Sequence, residues 1–214
     1  MRINLSKFIL DLLFPHTCCG CDIVGPLLCS NCWQKLDWQL WPVKLELNKT
    51  FLDQVSAAFE YTPLTKSIVR RCKYDQVQDA AVLMAELISN YLPPRPNHTL
   101  CPVPLHYKRQ SQRGFNQAQT IGNTLAQIWQ LPSQNLLIRT VNSSQQVKQI
   151  DKNSRLHHLD HHFALNPIFK DNLPSRVTLI DDVVTTGTTL NQCAQILKQN
   201  GVKQVNAITF AHGV

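Results

Sequence analysis

The amino-acid sequence predicts an α/β fold: a mostly parallel sheet with helices on both faces, preceded by a small cysteine-rich module. Three observations carry that expectation. From Phe51 onward, short apolar runs alternate with stretches of helical periodicity, the pattern of strand–helix–strand units. Before residue 43 the composition differs, with five of the eight cysteines and three of the four tryptophans. The 214 residues, 43% of them hydrophobic, form a chain long enough to bury about 70% of its unfolded surface, so no disulfide scaffold is required. The division predicted is 1–42 for the N-terminal helix and cysteine module and 43–214 for the α/β domain.

The elements follow in order. Leu5, Phe8, Ile9, Leu12 and Leu13 make one apolar stripe of a short amphipathic helix. Asp11 splits that apolar run and no small-residue cleavage site precedes Pro15, so no export signal is read and a cytoplasmic, thiol-reducing setting is expected. No stretch is long and apolar enough for a membrane span. Val55–Tyr61 reads as a strand, 63–71 and 79–92 as helices, and the run ending at Cys101-Pro102-Val103-Pro104 as a short strand. Residues 115–129 form a helix with Phe115, Ala118, Gly122, Leu125 and Trp129 on one face. Val177–Ile180 is a buried strand, 189–200 a helix closed by Gly201, and 205–210 a final strand. Residues 142–171, polar and without apolar periodicity, are expected to be an excursion or mobile loop.

In the first part, Cys18-x-x-Cys21 and Cys29-x-x-Cys32 pair two tight turns. Four thiolates so arranged satisfy a tetrahedral Zn2+ and leave no open position, so the metal is read as structural. Cys19 offers a competing Cys19-x-Cys21 pair. Cys193 sits on an apolar helix face, and Cys72 and Cys101 lack metal-ligand spacing.

The most informative stretch is Val177 to Leu190. A buried strand delivers Asp181 and Asp182 to its C-terminal end, the edge where open α/β sheets bind ligands. Val183 and Val184 lead into Thr185, Thr186, Gly187, Thr188 and Thr189, which open a helix. Gly187 lets the backbone wrap closely, the threonines add hydroxyls, and the helix start offers N–H groups to a phosphate. The carboxylates suit sugar hydroxyls or a divalent cation. A phosphorylated ribose carries both features close together.

This run resembles the 5-phosphoribosyl pyrophosphate (PRPP) loop of the type I phosphoribosyltransferases. The resemblance implies a type I phosphoribosyltransferase-like sheet in which Asp181 and Asp182 meet the ribose hydroxyls. Thr185–Thr189 would then hold the 5′-phosphate, with Val183 and Val184 in the same PRPP-binding run and Mg2+ on the pyrophosphate. A wider resemblance covers nearly the whole chain. Cys18/Cys21/Cys29/Cys32, Arg71-Cys72-Lys73-Tyr74, Pro102-Val103-Pro104-Leu105-His106, Arg113-Gly114-Phe115-Asn116-Gln117 and the loop stand in the order of the competence protein ComF family. That family usually has Arg-x-x-Asn near Arg155, where this chain has Arg155-Leu156-His157-His158. The resemblance implies a role in DNA uptake and natural transformation, with single-stranded DNA or the uptake machinery as partners. The alternative it implies is an active Mg2+-dependent phosphoribosyltransferase acting on a base or amine, Arg113 and Lys73 steadying the leaving group.

The remaining candidates are plainer. The 21 Lys+Arg against 14 Asp+Glu give +7, an excess suited to an anionic partner, phosphate or nucleic acid. Lys108, Arg109 and Arg113 stand between a strand and a helix, where a loop closes over PRPP in related transferases. His157, His158, His161 and His162 read as surface histidines. Trp33, Trp38 and Trp41 read as aromatics that dock the small module onto its neighbour.

Overall fold

The structure, a computed structural model, describes residues 16–37, 43–45, 47, 49–74, 77–94, 97–105, 107–140 and 163–213, with only the backbone described at 107–109. The N-terminal helix, Trp38, Trp41, Arg155 and the four clustered histidines lie outside the described residues, as do the side chains of Lys108 and Arg109.

A single helical turn, α1 (Ser30–Trp33), belongs to the cysteine segment. The domain proper runs β1 (Gln54–Glu60), α2 (Pro63–Tyr74), α3 (Gln78–Tyr91), β2 (Thr99–Pro102), α4 (Tyr107–Arg113) and α5 (Gln117–Trp129). It continues through β3 (Leu137–Arg139), β4 (Phe163–Leu165), a 3-10 turn at Pro167–Phe169, β5 (Arg176–Val184), α6 (Thr188–Gln199) and β6 (Gln204–His212). The main sheet has the order β1-β6-β5-β2, and every neighbouring pair is parallel. Its strands are buried almost end to end, as a sheet covered on both faces requires.

Strand alternation divides the core in two. Ile180, Ile208 and Phe210 join the buried sides of α2, α3 and α5 through Ile68, Cys72, Met84, Leu87, Ile121 and Leu125. Val177, Leu179, Val205 and Ala207 face the other way, onto Leu190, Cys193, Ala194 and Leu197 of α6. At Gly122 of α5 an added Cβ would lie 2.9 Å from Pro102 Cγ, so the helix settles on β2 only with a glycine there.

From Val55 onward the expected elements are present with shifted ends, and α4, β3 and β4 join them unanticipated. The strand expected to stop at Ile180 continues to Val184, because β6 also continues and pairs Asp181 with Thr209, Val183 with Ala211 and Val184 with His212. The segment holding Arg113 forms α4. Part of the expected excursion is ordered: Phe163–Leu165 pairs antiparallel with Leu137–Arg139, burying Leu137 and Phe163 against the α6 side of the core.

Candidate functional site

The parallel order brings the C-terminal ends of all four strands to one edge. Strand β2 leaves the ladder at Pro102, opposite Ile180, so Asp181 to Val184 project past it. The chain then turns through Thr185, Thr186 and Gly187 into α6. Gly187 takes φ +77°, a left-handed conformation that glycine adopts without strain, and an added Cβ would meet Leu45 Cδ1 at 2.5 Å. Thr185, Thr186, Thr188 and Thr189 are exposed while Gly187 and Leu190 are buried. The Thr186 and Thr188 hydroxyls lie 3.0 Å apart, and the Thr188 N–H donates to Thr186 Oγ1 at 3.4 Å. The loop frames a half-open hollow of about 60 Å3. That is a space for a compact anion at a helix N-terminus, with hydroxyl and N–H donors around it.

Asp181 and Asp182 are consecutive on a strand and therefore leave it on opposite faces. Asp182 turns to the α2 face, where its Oδ1 meets Lys73 Nζ at 2.9 Å, both groups largely buried. Asp181 turns to the α6 face, and its Oδ1 accepts from the Asp182 N–H at 2.8 Å. Burial, then the Asp182 charge, pushes the Asp181 carboxyl up to about 7 against the pull of that N–H, Lys73 and Arg139. That shift favours the protonated form, in which the carboxyl donates as well as accepts.

The cations arrive from two directions. Lys73 is the penultimate residue of α2. Arg113 closes α4, with its guanidinium 5.8 Å from the Tyr74 ring centroid and Nη1 donating to Gln117 Oε1 at 3.2 Å. Thus the structure gathers Lys73, Tyr74, Arg113 and Asp182 on one side of β5. On the other side Arg139 of β3 stacks on Phe163, 4.9 Å from its centroid, and its charge reaches Asp181. Arg139 also walls a cleft of about 380 Å3 shared with Pro104, Gln110, Asn116, Gln119 and Asn135. Sequence reasoning missed Arg139, since one cation on a three-residue strand forms no motif. It missed Leu45 for a similar reason: nothing local marks a leucine in a linker as the cover of a glycine 142 positions on (187 − 45).

The cysteine cluster forms as the spacing predicts. The sulfurs of Cys18, Cys21, Cys29 and Cys32 all lie within 4.8 Å of one another, and the Cys21 and Cys29 sulfurs are 3.7 Å apart. Zn–S bonds of about 2.3 Å in a tetrahedron require sulfurs about 3.8 Å apart, so the donors fit zinc. Gly20 and Cys29 N–H groups donate to Cys18 Sγ at 3.4 and 3.3 Å. Burial opposes ionisation of Cys18, but these N–H groups, that of Cys21 and the Cys21 thiol bring it down to about 6. Cys19 stands outside the cluster: it is buried in the core, and burial above all pushes its thiol up to about 11. That separates the two pairings left open by spacing alone. Trp33 is partly exposed, and the segment instead docks on α2 through Ser67, which donates to the Cys19 carbonyl, and Arg71, which donates to Thr17 Oγ1 and Asp22 Oδ1.

Residues 77–213 match the family described as phosphoribosyl transferase domain. Together with the four-cysteine segment and similarity to competence proteins, that decides the assignment. The chain belongs to the ComF family. It is 34% identical to Competence protein F of Haemophilus influenzae over 107 residues, half of this chain but only 46% of that protein's length. Competence protein ComFC of Bacillus subtilis is 29% identical over 197 residues, covering 87% of this chain and 73% of its own length. The DNA utilization protein YhgH of Salmonella typhimurium is 27% identical over 206 residues, covering 87% and 79%. Within this ComF-family chain the matched region holds β5, the threonine loop, Arg113 and Arg139, whereas Lys73 and the four clustered cysteines precede it. Among the described residues no helix is long and apolar enough to cross a membrane.

Proposed function

We propose that this chain serves DNA uptake in the cytoplasm as a PRPP-binding ComF protein, with residues 43–214 as the ligand-binding domain and 1–42 as its zinc module. One observation carries the reading. A strand carrying two carboxylates near its C-terminal end leads into an exposed hydroxyl loop at a helix N-terminus, with Lys73 on Asp182 and Arg113 beside Tyr74. Val183 and Val184 carry the strand to the loop. Thr185, Thr186, Gly187, Thr188 and Thr189 hold the 5′-phosphate, Asp181 and Asp182 meet the ribose, and Arg113 and Lys73 face the pyrophosphate. Bound Mg2+ would neutralise the pyrophosphate charge. Zn2+ at Cys18, Cys21, Cys29 and Cys32 is structural, since four protein ligands leave no position for substrate.

Single-stranded DNA and the uptake machinery are the partners proposed, on the net charge of +7 and the names of the relatives. Calorimetry of PRPP with Mg2+ tests the ligand: the wild type binds, and Asp181→Ala/Asp182→Ala binds at least about tenfold more weakly. A wild type without PRPP affinity overturns the reading. Salt titration of single-strand binding tests the nucleic-acid partner, because each phosphate contacted contributes about −0.7 to the log–log slope.

The second reading, an active transferase, is favoured by the titratable Asp181 in the ribose position and the Arg139 cleft beside it. There a base or amine displaces pyrophosphate at the anomeric carbon. Pyrophosphate release from PRPP across a panel of bases and amines separates enzyme from sensor.

A further inference from the structure

Gln117 is the first residue of α5, and its place is fixed from both sides. The Asn116 side chain accepts from the Ala118 N–H at 3.1 Å, capping the helix, and donates to the Val103 carbonyl at 3.0 Å, tying the cap to the end of β2. The Gln117 side chain is only 2% exposed. Its Oε1 accepts from Arg113 Nη1 at 3.2 Å, while its Nε2 is buried with no hydrogen-bond partner among the described residues. A buried amide donor left unpaired costs stability, and an apolar side chain of similar volume would not carry that cost. Packing therefore does not explain a glutamine here.

Its neighbour does. Arg113 ends a seven-residue helix and is followed by Gly114 at φ +76°, a turn that by itself leaves the side chain little support. Its other contact, the Tyr74 ring, belongs to a residue that is 71% exposed. The adjacent cation, Lys73, is committed to Asp182. Arg113 is thus held by an uncharged acceptor, which directs the guanidinium without neutralising it. A glutamate at the same place would make the stronger bond and cancel the charge.

We propose that Gln117 is the positioning residue for Arg113, holding its guanidinium fully charged toward the pyrophosphate of the ligand. This rests on the reading of Arg113 as a pyrophosphate-facing cation. The choice of amide over carboxylate then belongs to anion binding, and the unpaired Nε2 is the stability given up for it.

The test measures inorganic pyrophosphate and ribose 5-phosphate affinities, both with Mg2+, on the full-length wild type, Gln117→Leu and Gln117→Glu, together with thermal midpoints. Gln117→Leu loses the bond that directs Arg113 and binds pyrophosphate about tenfold more weakly, the worth of one charge-assisted hydrogen bond. Gln117→Glu keeps a bond but neutralises Arg113, and loses at least as much. Both keep ribose 5-phosphate affinity within about twofold, and Gln117→Leu melts no lower than the wild type. A support role alone moves the quantities otherwise, lowering the midpoint and both affinities together in Gln117→Leu and sparing Gln117→Glu. Wild-type pyrophosphate affinity that both variants retain overturns this inference alone. A wild type that binds ribose 5-phosphate but not pyrophosphate overturns the underlying reading of Arg113, and this proposal with it. If Gln117→Leu does not fold, Gln117→Glu decides, since only the positioning role predicts its loss.

Discussion

Replacing Gly187 by alanine separates two costs that the structure superimposes at the phosphate loop. The residue sits at φ +77° and ψ 1°, where an L side chain costs about 1–2 kcal/mol through the clash of Cβ with its own backbone. The new Cβ would also lie 2.5 Å from Leu45 Cδ1, 3.1 Å from Cδ2 and 3.2 Å from Cγ. Leu45 must move, at a further cost of about 1–3 kcal/mol. Gly187→Ala is therefore expected to lose about 2–5 kcal/mol. Leu45 is half-buried, so Leu45→Ala alone loses about 1 kcal/mol. In the double variant the steric part vanishes and only the backbone part persists, so the two changes couple favourably by about 1–3 kcal/mol. Urea midpoints of the four proteins at one pH close the cycle. Costs that add within about 0.5 kcal/mol would show that Leu45 does not rest on the loop in solution.

Two further outcomes follow from ionisation and from thiols. The Asp181 carboxyl has an ordinary value of 3.8 and a folded one of about 7, so the folded chain holds its proton the more tightly. Its contribution to stability is complete below about pH 3.8 and is lost as pH rises through about 7; Asp181→Asn should flatten the urea-midpoint profile between those values. Cys19→Ser should retain one zinc per chain by elemental analysis while Cys29→Ser does not, since only Cys29 belongs to the four-sulfur cluster; loss of zinc from Cys19→Ser would reassign the ligands.

What could be read in advance was whatever has a period or a motif. The four main strands and the helices packed on them follow apolar spacing, and the loop from Thr185 to Thr189 is visible because its chemistry is contiguous. What could not be read depends on a partner distant in sequence. Strand β5 runs past Ile180 because β6 accompanies it to His212. Strand β3 is three residues long and exists by virtue of Phe163–Leu165, so neither half carries a strand signal alone. Helix α4, Tyr-Lys-Arg-Gln-Ser-Gln-Arg, has no apolar stripe to announce it. Two adjacent aspartates look like one feature in a sequence, yet strand alternation separates them: Asp182 pairs directly with Lys73, while Asp181 feels Lys73 and Arg139 only through their charge.

The cysteine segment reads as an appendage by composition, and an appendage should melt by itself when its metal is removed. Its contacts argue otherwise. Cys19 and Leu36 are buried within the same apolar cluster as Ile68, Met84, Leu87 and Phe210 of the α/β domain. Helix α2 presents Leu64, Ser67 and Arg71, spaced as one helical stripe, to the cysteine turns. It buries Ile68, Val69 and Cys72 against the sheet and its neighbouring helices, and places Lys73 on Asp182. One rigid helix thus serves both parts, and undoing the turns uncovers one of its sides. Exposing Cys19 and Leu36 alone removes about 3 kcal/mol of burial. At about 2–4 °C per kcal/mol for a chain of this size, a chelator should lower the midpoint of the whole protein by about 6–12 °C in a single transition. Calorimetry with and without chelator checks this. Two separate transitions, with the upper one unmoved, would mean that α2 holds its place and Lys73 its partner without the cysteine segment.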